Sequence, residues 1–364
     1  MPRGMRRDDD MRPFMRSGYM RKLLQGGALL MALALVGCGP AGGTPTPPSP
    51  TPGDGTAAPT DGTDEAPLFY VINKSADQQY FIDLQDSFVA KIEELGGRAQ
   101  RADARLDPNL GISLVNDAIS AGAQGIAITA PDQTIGPAIS TAARNADVAL
   151  VATDDNIEDD QGNSVPFVGF SGTDMGNKVG EEAARLLQEA GWLDNPDTLG
   201  VLSTEVQTLS VCEDRTNAAK QQMGDAGVPE SQIFQVPYTG ETPSAQDAAG
   251  PVISANPGVE RWVVFACNDE GVLGTLNALG TAGVSPDNVI GVGLGAYEAC
   301  KPWVANQPSG FKAALFISGK DVGSAAAEVL WNKVVNGEDL PENTIANTTI
   351  VDPDTWEDLF ECTD

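Results

Sequence analysis

The sequence predicts an α/β protein built from two doubly wound parallel-sheet domains. From residue 68 onward, short β-branched runs alternate with amphipathic helical stretches, which implies parallel strands covered by helices on both faces. That region holds 297 residues, more than one such sheet with this number of strands accommodates. Hydrophobic residues make up 41% of the chain, enough for a real core despite its acidity.

The first strand is Leu68–Ile72. A helix over Phe81–Leu95 follows, because Leu84, Phe88, Ile92 and Leu95 recur at spacings of four, four and three and so share one face. Gly96-Gly97 stops it. Next come a helix over Gly111–Ala121, the strand Gly125–Thr129, a helix near Ile135–Asn145 and the strand Val148–Thr153. The second set begins after Val165–Phe170. It comprises a helix over Gly176–Ala190, the strand Leu199–Ser203, a helix over Cys212–Ala226 and the strand Gln232–Val236. A helix near Ala245–Ala255, the strand Trp262–Ala266, a helix over Gly271–Leu279 and the strand Val289–Leu294 complete it. No fixed-period repeat is present.

The N-terminal end reads differently. Residues 1–22 carry seven of the 22 basic residues, and the apolar run Leu23–Gly37 is 15 residues long. That is short for a membrane span and suits the apolar segment of a signal peptide, residues 1–37. The acidic Asp8-Asp9-Asp10 places the start of synthesis at Met11 or later. Leu35-Val36-Gly37-Cys38 has the form of a bacterial lipobox, with Cys38 as the thiol that takes the lipid. Residues 39–67 hold eight Pro, six Gly and six Thr and no Leu, Ile, Val or aromatic residue. Residues 38–67 therefore read as a lipidated cysteine on an extended, solvated tether.

Charge and composition exclude several functions. The formal charge is −29, and removal of residues 1–37 would leave 48 acidic and 15 basic side chains, or −33. Nucleic-acid binding needs basic clusters, and none is present. An acidic surface favours a soluble monomer. The chain has no histidine, which removes Ser-His and Cys-His catalysis and imidazole metal sites. No calcium-loop spacing appears, and no G-x-G-x-x-G follows the first strand. No cofactor is implied.

Ligands of open parallel sheets sit at the carboxyl ends of the strands. Those ends supply Asn73 and Lys74, with Gln78, Tyr80 and Phe81 close behind; Pro131 and Asp132; Asp154-Asp155; Thr204 and Glu205, with Arg215 on the helix that follows; Asn268-Asp269; and Gly295, Tyr297 and Glu298. Acids, amides, two cations and aromatics suit a polyhydroxylated neutral ligand, since charged groups bond hydroxyls strongly and rings cover the C–H face of a sugar. Asp132 reads as an N-cap. Asp269 and Glu205 read equally as caps or as ligand contacts, and Tyr80 and Phe81 equally as core or site. Arg215 by pattern alone is a solvated helix residue. Asp154-Asp155 reads as functional, because two adjacent acids at a strand end repel. A glycosidase pair needs carboxyls at least about 5 Å apart across the scissile bond, and adjacent residues point apart, so an enzyme is not expected.

The residues resemble those of the type I periplasmic sugar-binding proteins of ABC transporters, closest to the L-arabinose-binding group. The resemblance covers 68–364. It rests on Lys74 with Tyr80-Phe81, GIAITAPD ending at Asp132, VATDD ending at Asp155, VPESQIFQVP from Val228, CNDEGVLG from Cys267 and GVGLGAYEA from Gly291. It implies two lobes joined by a three-segment hinge, one of 68–170 plus 319–346 and the other of 173–316 plus 350–364. Crossings are expected near Phe170–Thr173, Phe316–Gly319 and Asn347–Val351. Lys74 would bond ring hydroxyls, Asp154 and Asp155 the anomeric end, Arg215 the ring oxygen and Asn268 a mid-ring hydroxyl, with Tyr80 and Phe81 facing the ring. Gln78 stands where the resemblance has an acid, Tyr80 where it has tryptophan and Phe170 where it has a methionine that contacts the sugar. Gly295 replaces an asparagine that bonds two hydroxyls, and Tyr297 or Glu298 could reach into that space. The ligand expected is therefore a monosaccharide other than L-arabinose: another pentose, a hexose or a deoxy-sugar.

The implied partners are an ABC permease and, through Cys38, the membrane outer face. A ligand-presenting sensor lipoprotein for a membrane receptor is the alternative. A sugar repressor would need a basic helix-turn-helix before residue 68, where the tether stands. An exported protein meets an oxidising space, and four cysteines remain after Cys38. Cys300 follows the last site strand and Cys362 lies in a tail expected to pack on the same lobe, so these two are expected to pair. Cys212 and Cys267 flank the site through Arg215 and Asn268 and form a second candidate pair.

Overall fold

The computed structural model describes residues 65–363. The segments expected to be a signal peptide and a tether, with Cys38 between them, lie outside the described residues, save 65–67. Along the chain come β1 (Leu68–Asn73), α1 (Gln79–Glu94), β2 (Arg98–Asp103), α2 (Pro108–Ser120), β3 (Gly125–Ile128), α3 (Gly136–Asn145), β4 (Ala149–Thr153) and β5 (Phe167–Gly169). Then follow α4 (Gly172–Glu189), β6 (Leu199–Glu205), α5 (Ser210–Asp225), β7 (Ile233–Pro237), α6 (Thr242–Ala255), β8 (Arg261–Ala266) and α7 (Asp269–Thr281). Last come β9 (Val289–Gly295), α8 (Cys300–Val304), β10 (Phe311–Ile317), α9 (Gly319–Val334), β11 (Asn343–Ile345) and β12 (Thr348–Val351).

The strands form two six-stranded sheets. One has the order β11-β5-β4-β3-β1-β2 and is parallel throughout. The other has the order β12-β10-β9-β8-β6-β7 and is parallel except where β12 runs against β10. The chain passes between lobes three times, from β5 to α4, from β10 to α9 and from β11 to β12. This is the two-lobed type I arrangement with a three-segment hinge. The first two crossings share a device: Ser171 and Ser318 cap α4 and α9, each accepting a hydrogen bond from the N–H three residues on, at Asp174 (3.2 Å) and Asp321 (3.1 Å). An acidic residue in the first turn adds a favourable dipole contact.

Central strands are buried on both faces, as with Gly125–Ile128 and Leu199–Glu205. α1 packs on α9, and α4 on α5. The second contact brings two backbones close: a Cβ on Gly176 would strike the Arg215 carbonyl. Glycine in α4 thus lets α5 approach and fixes the height at which Arg215 leaves its helix.

Several helices start earlier than apolar periodicity suggests. α2 begins at Pro108, with the Asp107 side chain accepting from Asn109 N–H at 2.8 Å, because capping residues are polar and lie ahead of the first apolar position. β2 was not expected at all. Its sequence, Arg98-Ala99-Gln100-Arg101-Ala102-Asp103, belongs to a sheet edge and shows no apolar alternation.

A candidate ligand-binding cleft between the lobes

The carboxyl ends of both sheets face one cleft. β1 delivers Lys74 and β4 delivers Asp154-Asp155. Asp155 is wholly buried and Asp154 is 4% exposed. Lys74 Nζ forms an ion pair with Asp155 and lies 3.7 Å from Asp154 Oδ2. Asp154 has a φ of +59°, a left-handed conformation rare outside glycine. Such a turn lets two adjacent carboxylates reach the same ammonium group instead of pointing apart.

Arg215, 5% exposed, enters from the other lobe. Its Nη1 donates to the Cys267 carbonyl at 3.0 Å, and its Nη2 reaches Asp154 Oδ1 at 3.5 Å. Two cations thus hold two buried carboxylates, one from each lobe. This neutralises charge that burial would otherwise make costly. Burial raises the Asp155 carboxyl above its usual range, and the Lys74 charge opposes that rise.

The cluster leaves polar atoms unpaired. Asp155 Oδ1, Arg215 Nε and Tyr80 Oη are buried without a hydrogen-bond partner. Buried polar atoms are normally satisfied, so Arg215 Nε and Tyr80 Oη, whose residues line the cavity, offer a donor and a hydroxyl to an occupant. Tyr80 and Phe81, both buried, meet edge to face at 5.1 Å, and Lys74 Nζ stands 5.3 Å from the Phe81 ring centre.

Around this cluster lies an inner cavity of about 50 Å3, lined by Lys74, Gln78, Tyr80, Phe81, Asp154 and Arg215, and by Asn268, Asp269, Glu270, Gly295 and Tyr297 across from them. Asn268 caps α7. Its Oδ1 accepts from Gly271 N–H at 3.0 Å and from Tyr238 Oη, while Nδ2 donates to the Gly240 carbonyl at 3.0 Å. One amide hydrogen is left for an occupant. Gln78 Nε2 reaches the same Gly240 carbonyl from the opposite lobe at 3.4 Å. Gly295 has a φ of +137°, so a side chain there would be strained even though a Cβ finds ordinary contact distances.

Three expected contacts lie outside the cavity lining. Asp155 is wholly buried on the far side of its ion pair with Lys74, so it acts on the cavity through that ammonium group. Phe170 does not line the cavity; it is buried behind Tyr80, with ring centres 6.4 Å apart. Glu298 also lies outside the lining, because its carboxylate pairs with Lys301 at 2.8 Å. Asp132 caps the turn after β3, its Oδ1 accepting from Thr134 N–H at 2.8 Å. Glu205 accepts from Lys220 at 2.8 Å and from Ser203 at 2.7 Å. Two residues take more prominent places than their pattern suggested. Tyr297 lines the cavity, and its Oη accepts from Gly319 N–H at 3.3 Å, at a hinge crossing. Glu270 lines the cavity too, although an acid in the first turn of a helix reads as a dipole partner.

The disulfides bracket this lobe. Cys300 and Cys362 are bonded, with Cα atoms 5.8 Å apart, and so are Cys212 and Cys267, at 4.9 Å. Cys267 adjoins Asn268 and accepts from Arg215, so the second bond ties the start of α5 to the end of β8 beside the cleft. Among the described residues, no group of three or more Cys, Asp or Glu is arranged to hold a metal ion. None of the described helices is long and apolar enough to cross a membrane.

Burial pushes the Asp269 carboxyl up to about 7 and that of Glu270 up to about 8; Glu298 adds repulsion to both, and Lys74 offsets part of it at Glu270. Both values exceed the unfolded carboxyl value of about 4. Between these limits the folded state keeps protons that the unfolded chain has released, so stability falls as pH rises from about 4 to about 8. The unfolding midpoint is expected to be roughly a few degrees higher at pH 5.5 than at pH 8.5, with Glu270→Gln reducing the difference. A wild-type midpoint that is flat or rises across that interval would contradict these assignments.

The sequence matches the model of the periplasmic binding protein domain over residues 69–339. It is 30% identical over 292 residues to an ABC transporter L-arabinose-binding periplasmic protein of Azospirillum brasilense, covering 78% of this chain and 86% of that one. It is 28% identical over 255 residues to the L-arabinose-binding periplasmic protein of Escherichia coli K12, covering 69% and 77% of the two chains. The fold is similar to that of an ABC transporter solute-binding protein from Mycobacterium smegmatis crystallised with glycerol, with a TM-score of 0.68 at 21% identity, covering 82% and 98%. The chain belongs to the periplasmic binding protein family, in its type I group of sugar-binding solute receptors of ABC transporters.

Proposed function

We propose that this protein captures a monosaccharide between its two lobes and delivers it to a sugar ABC permease, held at the membrane outer face through a lipid on Cys38. The observation that carries the ligand reading is the buried Lys74–Asp154–Asp155–Arg215 cluster, of which Lys74, Asp154 and Arg215 line the cleft between the lobes and Arg215 Nε stands without a partner. Hydroxyl groups both donate and accept, so a sugar satisfies Arg215 Nε and Tyr80 Oη together. The Phe81 ring and its neighbour Tyr80 offer apolar surface to the C–H face of the ring. Closure about the hinge strands traps the sugar.

Gly295 directs the choice of sugar. It presents no amide, and its backbone conformation disfavours one. Two hydrogen bonds to neighbouring hydroxyls would be missing for a ligand that needs them, at about 1 kcal/mol each. The reading is a monosaccharide other than L-arabinose. A thermal-shift screen of pentoses and hexoses tests it, since a ligand at 100 times its Kd adds about 2.7 kcal/mol. One sugar should raise the midpoint clearly, and a folded protein that responds to none of them would refute the reading.

Anchoring has its own test. Cys38→Ser is expected to release the protein from the membrane fraction. Retention of this variant, with no lipid on the wild-type protein, would refute the anchor.

A further inference from the structure

The ion-paired cluster occupies only the inner end of the cleft, where the cavity is about 50 Å3. Outward from it opens a second chamber of about 400 Å3, which shares Lys74, Gln78, Cys267 and Asn268 with the first. A cavity of roughly 150 Å3 holds benzene, a six-membered ring. A sugar ring seated across the shared wall therefore leaves most of the outer chamber unfilled.

The outer chamber carries an aliphatic strip from both lobes, beside polar wall from Gln207, Thr208, Thr239 and Glu241. One lobe contributes Leu106, Pro108 and Pro131; the other contributes Val206 and Leu209, with Tyr238 beside them. Tyr238 Oη is already committed to Asn268, and Asp132 to Thr134. Along the leucine and proline strip, water finds few of the two to four partners it needs, and an empty space there forfeits contacts with those side chains.

Leu106 is placed there by an unusual backbone. It has a φ of +57° and follows Arg105 at +52°, two consecutive non-glycine residues in the left-handed region. Leu106 N–H donates to the Lys74 carbonyl at 2.7 Å, and Arg105 N–H to Asp103 Oδ1 at 2.9 Å. Strained turns of this kind persist where their surroundings hold them, and they concentrate at ligand clamps. This one joins the aliphatic wall to the residue that anchors the inner cluster. Across the cleft, Gln133 Nε2 donates to Ser210 Oγ and Ser210 N–H donates to Gln133 Oε1, both at 2.7 Å. These residues directly follow Asp132 and Leu209 on the chamber wall, so the lobes are closed there with the outer chamber between them.

We propose that the ligand is a sugar carrying an apolar substituent, of the class of alkyl or aryl glycosides and ethers. Its ring lies at the ion-paired cluster and its substituent fills the chamber walled by Leu106, Pro131, Val206 and Leu209. The inference rests on the sugar-binding reading and narrows it.

Titration calorimetry on the full chain compares the monosaccharide that binds with its mono-O-butyl derivatives, one for each hydroxyl. At least one derivative is expected to bind about tenfold to a hundredfold tighter than the parent, from burial of its alkyl carbons. Leu106→Ala and Leu209→Ala are each expected to shrink that ratio severalfold. If the parent sugar binds and no derivative binds tighter, the substituent site is wrong while the sugar reading stands. A tighter derivative whose advantage survives both substitutions would overturn its placement in this chamber. Binding of neither parent nor derivatives would overturn both readings.

Discussion

Lys74→Met is expected to remove measurable sugar binding and to lower stability by about 3–5 kcal/mol, the usual consequence of breaking a buried ion pair. Asp155 is wholly buried, and Lys74 is the cation paired with it, while Arg215 reaches only Asp154. Without the ammonium group, Asp155 must take up a proton or remain an uncompensated charge, and burial already raises its carboxyl. Either outcome also loses the ammonium donor that Lys74 presents at the cavity wall. Methionine is unbranched and of similar length, so lost packing contributes little. Lys74→Met combined with Asp155→Leu should recover much of the stability but none of the binding. Chemical denaturation and calorimetry on the three proteins separate these effects. Affinity of the single variant within tenfold of wild type would place the sugar elsewhere.

Loss of the Cys300–Cys362 disulfide is the second large effect. The two residues are 62 apart in sequence. Closing a loop of that length stabilises by about 4 kcal/mol in the chain-entropy model, which corresponds to roughly 10 °C in the unfolding midpoint. The tail that it holds also packs near the cleft. Phe360 stacks on Phe316 at 4.5 Å and meets Tyr297 at 6.1 Å, and Tyr297 in turn meets Tyr80 at 6.3 Å. Cys300→Ser with Cys362→Ser should therefore lower the midpoint and weaken sugar binding modestly through Tyr297. Thermal unfolding of the two proteins without reductant checks this. Equal midpoints, or free thiols at 300 and 362 in the denatured wild-type protein, would contradict it.

The legibility of this fold follows from where burial imposes a pattern. Strands buried on both faces, such as Gly125–Ile128, announce themselves as apolar runs. α1 announces itself through Leu84, Phe88 and Ile92, all wholly buried. β2 leaves no such trace, because an edge strand has no fully covered face to demand alternation. The same logic governs the cleft. Lys74 and Asp154-Asp155 stand where a parallel sheet presents its strand ends, and two adjacent acids there need a reason. Arg215 reads as an ordinary helix residue; only packing of α4 against α5 shows that it points inward. Asn268 carries a double duty that the sequence could not divide, capping α7 while keeping one amide hydrogen free. Glu270 resembles any first-turn acid, and its place on the cavity wall depends on how β9 lies opposite. The resemblance places Phe170 at the ligand, where a sugar-contacting methionine stands in the family, but here Tyr80 lies in front of it.

Titration calorimetry of the mature protein with individual monosaccharides tests the central claim most directly. One ligand should bind per chain, and a sugar other than L-arabinose should bind at least tenfold tighter than L-arabinose. Saturable binding by none of the pentoses, hexoses or their alkyl derivatives, to protein shown to be folded, would contradict it. Sub-micromolar L-arabinose binding with every other sugar at least a hundredfold weaker would keep the cleft but refute the role given to Gly295.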